Sequence, residues 1–186
     1  MPPKIKFKKE DIINATIELV RQNGADAINA RTIAMYLSCS TQPIFSNFSS
    51  IEELKCEVIK RAELLSDEYM QKEIQNGVFP KYKASGMAYI RFAKEERELF
   101  KLLYMRDRSS EEQAKENAQF TKMQGVVHNN TGLSYDASSI FHLEMWAFVH
   151  GIATMHATSF LELDWDTISQ MLSDSYLGLK KQYGVE

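Results

Sequence analysis

The sequence holds only two cysteines, Cys39 and Cys56. A chain of 186 residues can bury a core without a covalent staple, so a disulfide framework is not needed and a reduced setting is expected. No apolar run approaches the roughly 18 residues that span a membrane. The start, Met1 to Lys9, is basic but has no apolar stretch behind it that could act as a secretory leader. The expectation is a cytoplasmic protein with no membrane partner. No alternating pattern reads as a strand, and no internal repeat appears.

The motifs of catalysis are missing too. His128, His142, His150 and His156 form no His-Glu-x-x-His pattern, and no two of them stand at the i, i+4 spacing of a helical metal site. No Gly-rich phosphate loop and no Gly-x-Ser-x-Gly elbow is present. Neither cysteine has a histidine near it in sequence, and Cys39 is expected to be buried in a turn. No enzyme activity, catalytic residue, metal or cofactor is expected.

Charge is present but unevenly spread. The net charge is −3. Met1 to Arg61 carry nine Lys/Arg against seven Asp/Glu, and Ala62 to Glu186 carry thirteen against eighteen. Lys4, Lys6, Lys8 and Lys9 come before the first acid, Glu10. A basic end on an acidic chain suits contact with phosphate.

Hydrophobic spacing is helical throughout. Lys9 to Asn23 reads as the first helix, with Ile12, Ile13, Thr16, Leu19 and Val20 inward and Gly24 just past its end. Asn29 is placed to cap a short helix with Ile33, Ala34 and Leu37 on one face. Ser38-Cys39 breaks that pattern and Ser40 reads as a second cap. Pro43 then sits in the first turn of another short helix, where its missing N–H is tolerated. Ile44 and Phe48 point inward, leaving Thr41, Gln42, Ser46 and Asn47 outside, small or polar and uncharged. Two short helices about a tight turn are the layout of a helix-turn-helix, whose second helix enters a major groove.

Ser50 and Glu53 read as a capping box for a long helix from Ile51 towards Gln75. Asn76-Gly77-Val78-Phe79-Pro80 is the clearest break. Helices are expected over Lys81–Lys94, from Glu95 to about Arg106, and from Ser109-Ser110-Glu111-Glu112 to about Met123. Gly125, Asn129-Asn130 and Gly132 read as a loop. Ser134 or Asp136 starts an apolar helix reaching Thr158, and Asp164 caps the last one, Trp165 to Tyr183. The expected class is all-α, with about nine helices.

From Ile12 to Leu54 the chain resembles the TetR family of bacterial transcriptional regulators. Ile12-Ile13-x-Ala15, Leu19-Val20 and Gly24 are similar to the family's first helix. Arg31-x-Ile33-Ala34, Ser40, Ile44-Phe45, Phe48-x-Ser50 and Glu53-Leu54 are similar to the rest of its DNA-binding domain. Trp146-Ala147-Phe148-Val149-His150-Gly151 is similar to a Trp-x-x-x-His-Gly segment in the carboxy-terminal domain of one branch. Three positions depart from the common pattern. Ser38 stands where the turn usually has Gly, Phe45 where Tyr usually reaches a phosphate, and Ile51 where Lys is frequent; Lys55 is one turn further on.

The resemblance implies a helix-turn-helix domain over residues 1–50, a connecting helix over 51–75, and a helical effector-binding and dimerisation domain over 76–186. It implies a homodimer on a double-stranded DNA operator, probing successive major grooves and paired through Asp136–Thr158 and Trp165–Tyr183. The expected DNA contacts are Thr41, Gln42, Phe45, Ser46 and Asn47, with Arg31 on guanine or phosphate and Lys6, Lys8, Lys9 and Lys55 on the backbone. A small, mostly hydrophobic effector is expected among Phe92, Phe100, Tyr104, Phe120, Met123, Met145, Trp146 and His150. The function so implied is a repressor released from a palindromic operator by that effector. The alternative is a helical protein-interaction module of the same fold with weak or lost DNA binding.

Overall fold

The computed structural model describes residues 7–107 and 118–185. Among them are nine α-helices and no strand. The helices are α1 (Lys9–Asn23), α2 (Ala30–Tyr36), α3 (Gln42–Asn47), α4 (Ile51–Gln75), α5 (Lys81–Glu95), α6 (Arg97–Tyr104), α7 (Ala118–Thr131), α8 (Tyr135–Ala157) and α9 (Trp165–Gln182). The chain divides into two compact units, Met1–Asp67 with Glu96–Arg106, and Glu68–Glu95 with Asp107–Glu186.

The first unit is built around α1. Its inward stripe, Ile12, Ile13, Leu19 and Val20, is buried together with Ile33, Ile44, Phe48, Leu54 and Val58. Asp11 reaches back to the Lys8 N–H at 2.8 Å and closes the first turn. Gly24 ends the helix at φ 76°, where an L side chain would be strained and a Cβ would stand 3.0 Å from a Glu98 carboxylate oxygen of α6. A bidentate pair adds to that neighbourhood: Arg21 Nε and a second guanidinium nitrogen donate to the two Glu96 oxygens at 2.8 and 2.7 Å. Glu18 holds the remaining arm of the same guanidinium. Helix α6 thus groups with the amino-terminal helices, although it lies in the stretch expected to serve the effector domain.

Local capping follows the sequence in part. Asn29 Oδ1 accepts from Thr32 N–H at 2.9 Å and starts α2. Ser38 takes φ 52°, the left-handed region that the usual glycine would occupy freely. The Cys39 N–H then bonds the Ala34 carbonyl at 2.9 Å, closing α2. Cys39 itself is half-buried rather than buried. Ser40 does not cap α3. Thr41 occupies that position in a helical conformation, with no bond from its own side chain, and its carbonyl takes the first turn's N–H groups from Ile44 and Phe45. Ser50 caps α4 by accepting from Glu53 N–H at 3.1 Å, but the box does not close on Ser50. The Glu53 carboxylate reaches one residue further back, to the N–H and hydroxyl of Ser49, both at 2.7 Å.

The second unit sets α5 against α8, with α7 and α9 packed on them. At Gly86 a Cβ would meet Leu172 of α9 and Val149 of α8 at 3.4 Å, so α5 lies near both helices there. Val127, Phe141 and Met145 form a buried cluster edged by Tyr82, Leu133, Tyr176, Leu179 and Tyr183. Ser134 caps α8 through Ala137 N–H at 3.2 Å, and Asp164 caps α9 through Thr167 N–H at 2.8 Å. The loop expected at Gly125 and Asn129-Asn130 is helix instead. Met123 and Val127 are buried, and that packing overrides the weak helical preference of Gly and Asn. Only Gly132, at φ 69°, leaves the helix. The start expected at Ser109-Ser110-Glu111-Glu112 lies outside the described residues.

Candidate functional site

Helix α3 presents the outer face of the helix-turn-helix. Ile44 and Phe48 anchor it in the core, and Thr41, Gln42, Phe45 and Ser46 are exposed. The Ser46 hydroxyl donates to the Gln42 carbonyl at 2.8 Å, along the helix. Asn47, expected to face bases, is half-buried and its amide is engaged. Its Nδ2 donates to the Pro43 carbonyl at 2.8 Å and to the Phe7 carbonyl at 3.3 Å, tying Phe7 to the end of α3.

The cations differ in availability. Arg31, near the start of α2, and Lys55, on α4, are exposed and carry no ion pair among the described residues. Lys9 is engaged: its Nζ stands 3.2 Å from a Glu53 oxygen and 4.9 Å from the centre of the Phe48 ring. The Glu53 carboxyl is held at about 2, chiefly by the hydroxyl and N–H of Ser49 and then by Lys9. Lys8 lends its N–H to Asp11, and Lys6 lies outside the described residues.

The residues expected to meet an effector fall in both units. Phe100 and Tyr104 belong to the first, with rings 5.0 Å apart and the Tyr104 hydroxyl 3.4 Å from Ser66 Oγ. Phe92, Phe120, Met123, Met145, Trp146 and His150 belong to the second. Phe92 is buried, edge-on to Tyr69 at 5.5 Å. Met123 and Met145 are buried, whereas Trp146 is 41% exposed and stacks on His150 at 5.0 Å.

Two tyrosine–histidine pairs run along α5 and α8. The Tyr82 hydroxyl meets His142 Nδ1 at 2.8 Å, and the Tyr89 hydroxyl meets His150 Nδ1 at 2.9 Å. Burial pushes His142 down to about 4 and lowers His150 as well, so both rings are neutral near pH 7. In the tautomer protonated at Nε2, a neutral ring accepts at Nδ1 and the tyrosine donates; in the other tautomer the ring donates. Phe120 packs on the His142 ring at 4.6 Å. One turn before His142, Ser138 is fully buried and its hydroxyl has no hydrogen-bond partner among the described residues. Spacing alone shows neither the pairs nor Ser138, because the partners are some sixty residues apart in the chain.

Comparison with known proteins places this geometry. Residues 82–174 match the tetracyclin repressor-like, C-terminal domain family. A TetR-like transcriptional regulator from Rhodococcus sp. RHA1 superposes with a TM-score of 0.72 at 14% identity, covering 99% of each chain. A protein from Vibrio parahaemolyticus assigned to the TetR family of transcriptional regulators superposes with a TM-score of 0.65 at 17% identity, over 91% of this chain and 97% of its own. No curated protein matches in sequence. The family match covers half of the chain and includes the Trp146–Gly151 segment, and the two superpositions cover 99% and 91% of the chain. The chain therefore belongs to the TetR family of transcriptional regulators.

Proposed function

We propose that the protein is a ligand-responsive, DNA-binding repressor that works in the cytoplasm as a homodimer. The observation that carries this reading is the outer face of α3. Thr41, Gln42, Phe45 and Ser46 are exposed on a helix whose other side is locked in the core, with Arg31 and Lys55 available nearby. Such a face fits a major groove, with the cations on phosphates or on guanine. Dimerisation through α8 and α9 would cover Ile140, Leu143, Trp146 and Leu177, large apolar side chains that are exposed on one chain. Two recognition helices related by that two-fold would meet half-sites about one DNA turn or slightly more apart.

The effector is read as small and uncharged. Among the described residues the buried polar groups on α8 are Ser138, His142 and His156, none of them a carboxylate, lysine or arginine. Neutral His142 with its Tyr82 partner and the buried Ser138 hydroxyl would orient an otherwise apolar molecule. A ligand that prefers one arrangement of the dimer shifts the population of DNA-competent molecules, and release from the operator is the sense proposed.

Quantitative binding to a selected operator tests the DNA-binding reading. Lys55→Ala should weaken binding to all sequences alike and reduce the salt slope of log K by about 0.9. Gln42→Ala should instead change sequence preference, at a cost of about 1–2 kcal/mol on the preferred site. Unchanged affinity and slope in both variants would remove this reading. A second reading rests on Met35, Tyr36 and Phe45, exposed apolar side chains of the first unit. They would suit a protein-interaction module of the same fold with weak or lost DNA binding, and failure to select any duplex would favour it.

A further inference from the structure

Between Asn29 and Ser50 the sequence has a single charged residue, Arg31, and it lies on α2. Helix α3 itself, Gln-Pro-Ile-Phe-Ser-Asn, carries no charge. In a major groove the side chains that single out a G·C pair are Arg or Lys on guanine O6 and N7, and Asp or Glu on the cytosine amino group. Helix α3 offers none of them. It offers the groups that single out an A·T pair: an amide, which can donate to adenine N7 while accepting from its amino group, and an apolar surface for the thymine methyl.

The structure narrows the candidates further. Of the two amides on α3, Asn47 spends both N–H groups on the Phe7 and Pro43 carbonyls. Gln42 is exposed, and its side chain makes no hydrogen bond among the described residues. One turn on, Phe45 is 53% exposed and makes no ring contact there. Residues three apart on a helix share a face, so the Gln42 amide and the Phe45 ring approach neighbouring bases together. Thr41, at the N-cap of α3, is also exposed, and the Ser46 hydroxyl is already donated to the Gln42 carbonyl.

We infer that α3 reads A·T base pairs, with the Gln42 amide on adenine and the Phe45 ring against the methyl group of a neighbouring thymine. Arg31, on the preceding helix, reads outside this core. Phe45, which cannot bond a phosphate, serves base selection in place of backbone anchoring. The inference rests on the DNA-binding reading proposed above, and the test separates the two.

Duplexes bound by the full-length protein are selected from a random pool, and affinity is then measured on the selected site with two base analogues. Replacing the core thymines by deoxyuridine removes only their methyl groups. Affinity of the native protein should fall about fivefold, and that of Phe45→Ala by less than about twofold. Replacing the core adenines by 7-deazaadenine removes N7. Affinity should fall about tenfold for the native protein and little for Gln42→Ala. Both side chains are exposed, so unchanged thermal unfolding establishes that the variants are intact. Selected sites with G·C pairs in the protected core, or native binding insensitive to both analogues, overturn the inference and leave DNA binding standing. Failure to enrich any duplex overturns both.

Discussion

In the amino-terminal unit the fixed points are charged or polar groups on the surface and its margin. Arg21 clamps Glu96, Lys9 and Ser49 hold Glu53, Asn29 caps α2, and Asn47 ties Phe7 to α3. The carboxy-terminal unit has polar points too, the Ser134 and Asp164 caps and the Arg91–Glu73 pair, but adds rings to them, Tyr82 on His142, Tyr89 on His150, and Phe141 against Tyr176 and Tyr183. Element length explains the contrast. Helices α2 and α3 have only seven and six residues, well below the length at which a helix holds itself together in water. They need caps and pins to present a face of fixed shape. Helices α5, α8 and α9 have 15, 23 and 18 residues and hold through their packed sides. Their interior can carry uncharged polar groups, because backbone order does not depend on them.

Acid should distinguish the units most strongly. In the folded chain His142 sits at about 4, against an ordinary 6.5, so the unfolded chain takes up the proton first. The stability linked to this ring is complete above pH 6.5 and is lost as pH falls towards 4, by about 3 kcal/mol at the acid end. Urea titrations at pH 7 and pH 4.5 should show a steeper loss for the native protein than for His142→Gln. Equal slopes would mean that the ring does not titrate as its burial requires.

Next in size, Arg21→Ala should cost about 2 kcal/mol, since it leaves the Glu96 carboxylate half-buried and unpaired. The loss should appear in the amide exchange of α1 and α6, with α8 and α9 unaffected. Loss of protection in α8 would contradict the division into two units. The smallest effect has the opposite sign. Ser38→Gly should stabilise the first unit by about 0.5–1 kcal/mol, because glycine takes the left-handed conformation without strain. A lower melting temperature in that variant would show that Ser38 contributes something the strain argument omits.

The elements whose signals are local were legible in the sequence. The span of α1, the Asn29 and Asp164 caps, the Gly24 stop and the inward pairing of Ile44 with Phe48 depend on neighbours a few residues away. The helix through Gly125 and Asn129 was not legible, because what holds it is the burial of Met123 and Val127. The site was legible to a lesser degree. Exposure of Thr41, Gln42, Phe45 and Ser46 follows from helical phase, but the fates of Asn47 and Lys9 depend on Phe7 and Glu53, each about forty residues distant. Density of aromatics suggested one effector set, yet density carries no information on which neighbours a ring packs against. Phe100 and Tyr104 accordingly fall with the amino-terminal helices.

The engagement of Lys9 bears on how a binding isotherm would be interpreted. A salt titration counts cations by the ions that binding sets free from DNA. A lysine already matched to a carboxylate must first give that partner up, and the released Glu53 would then repel the same phosphates. The ionic stoichiometry drawn from such a titration should therefore fall short of the basic residues near the amino terminus. A shortfall of that kind would report an internal ion pair and not a smaller footprint on the duplex.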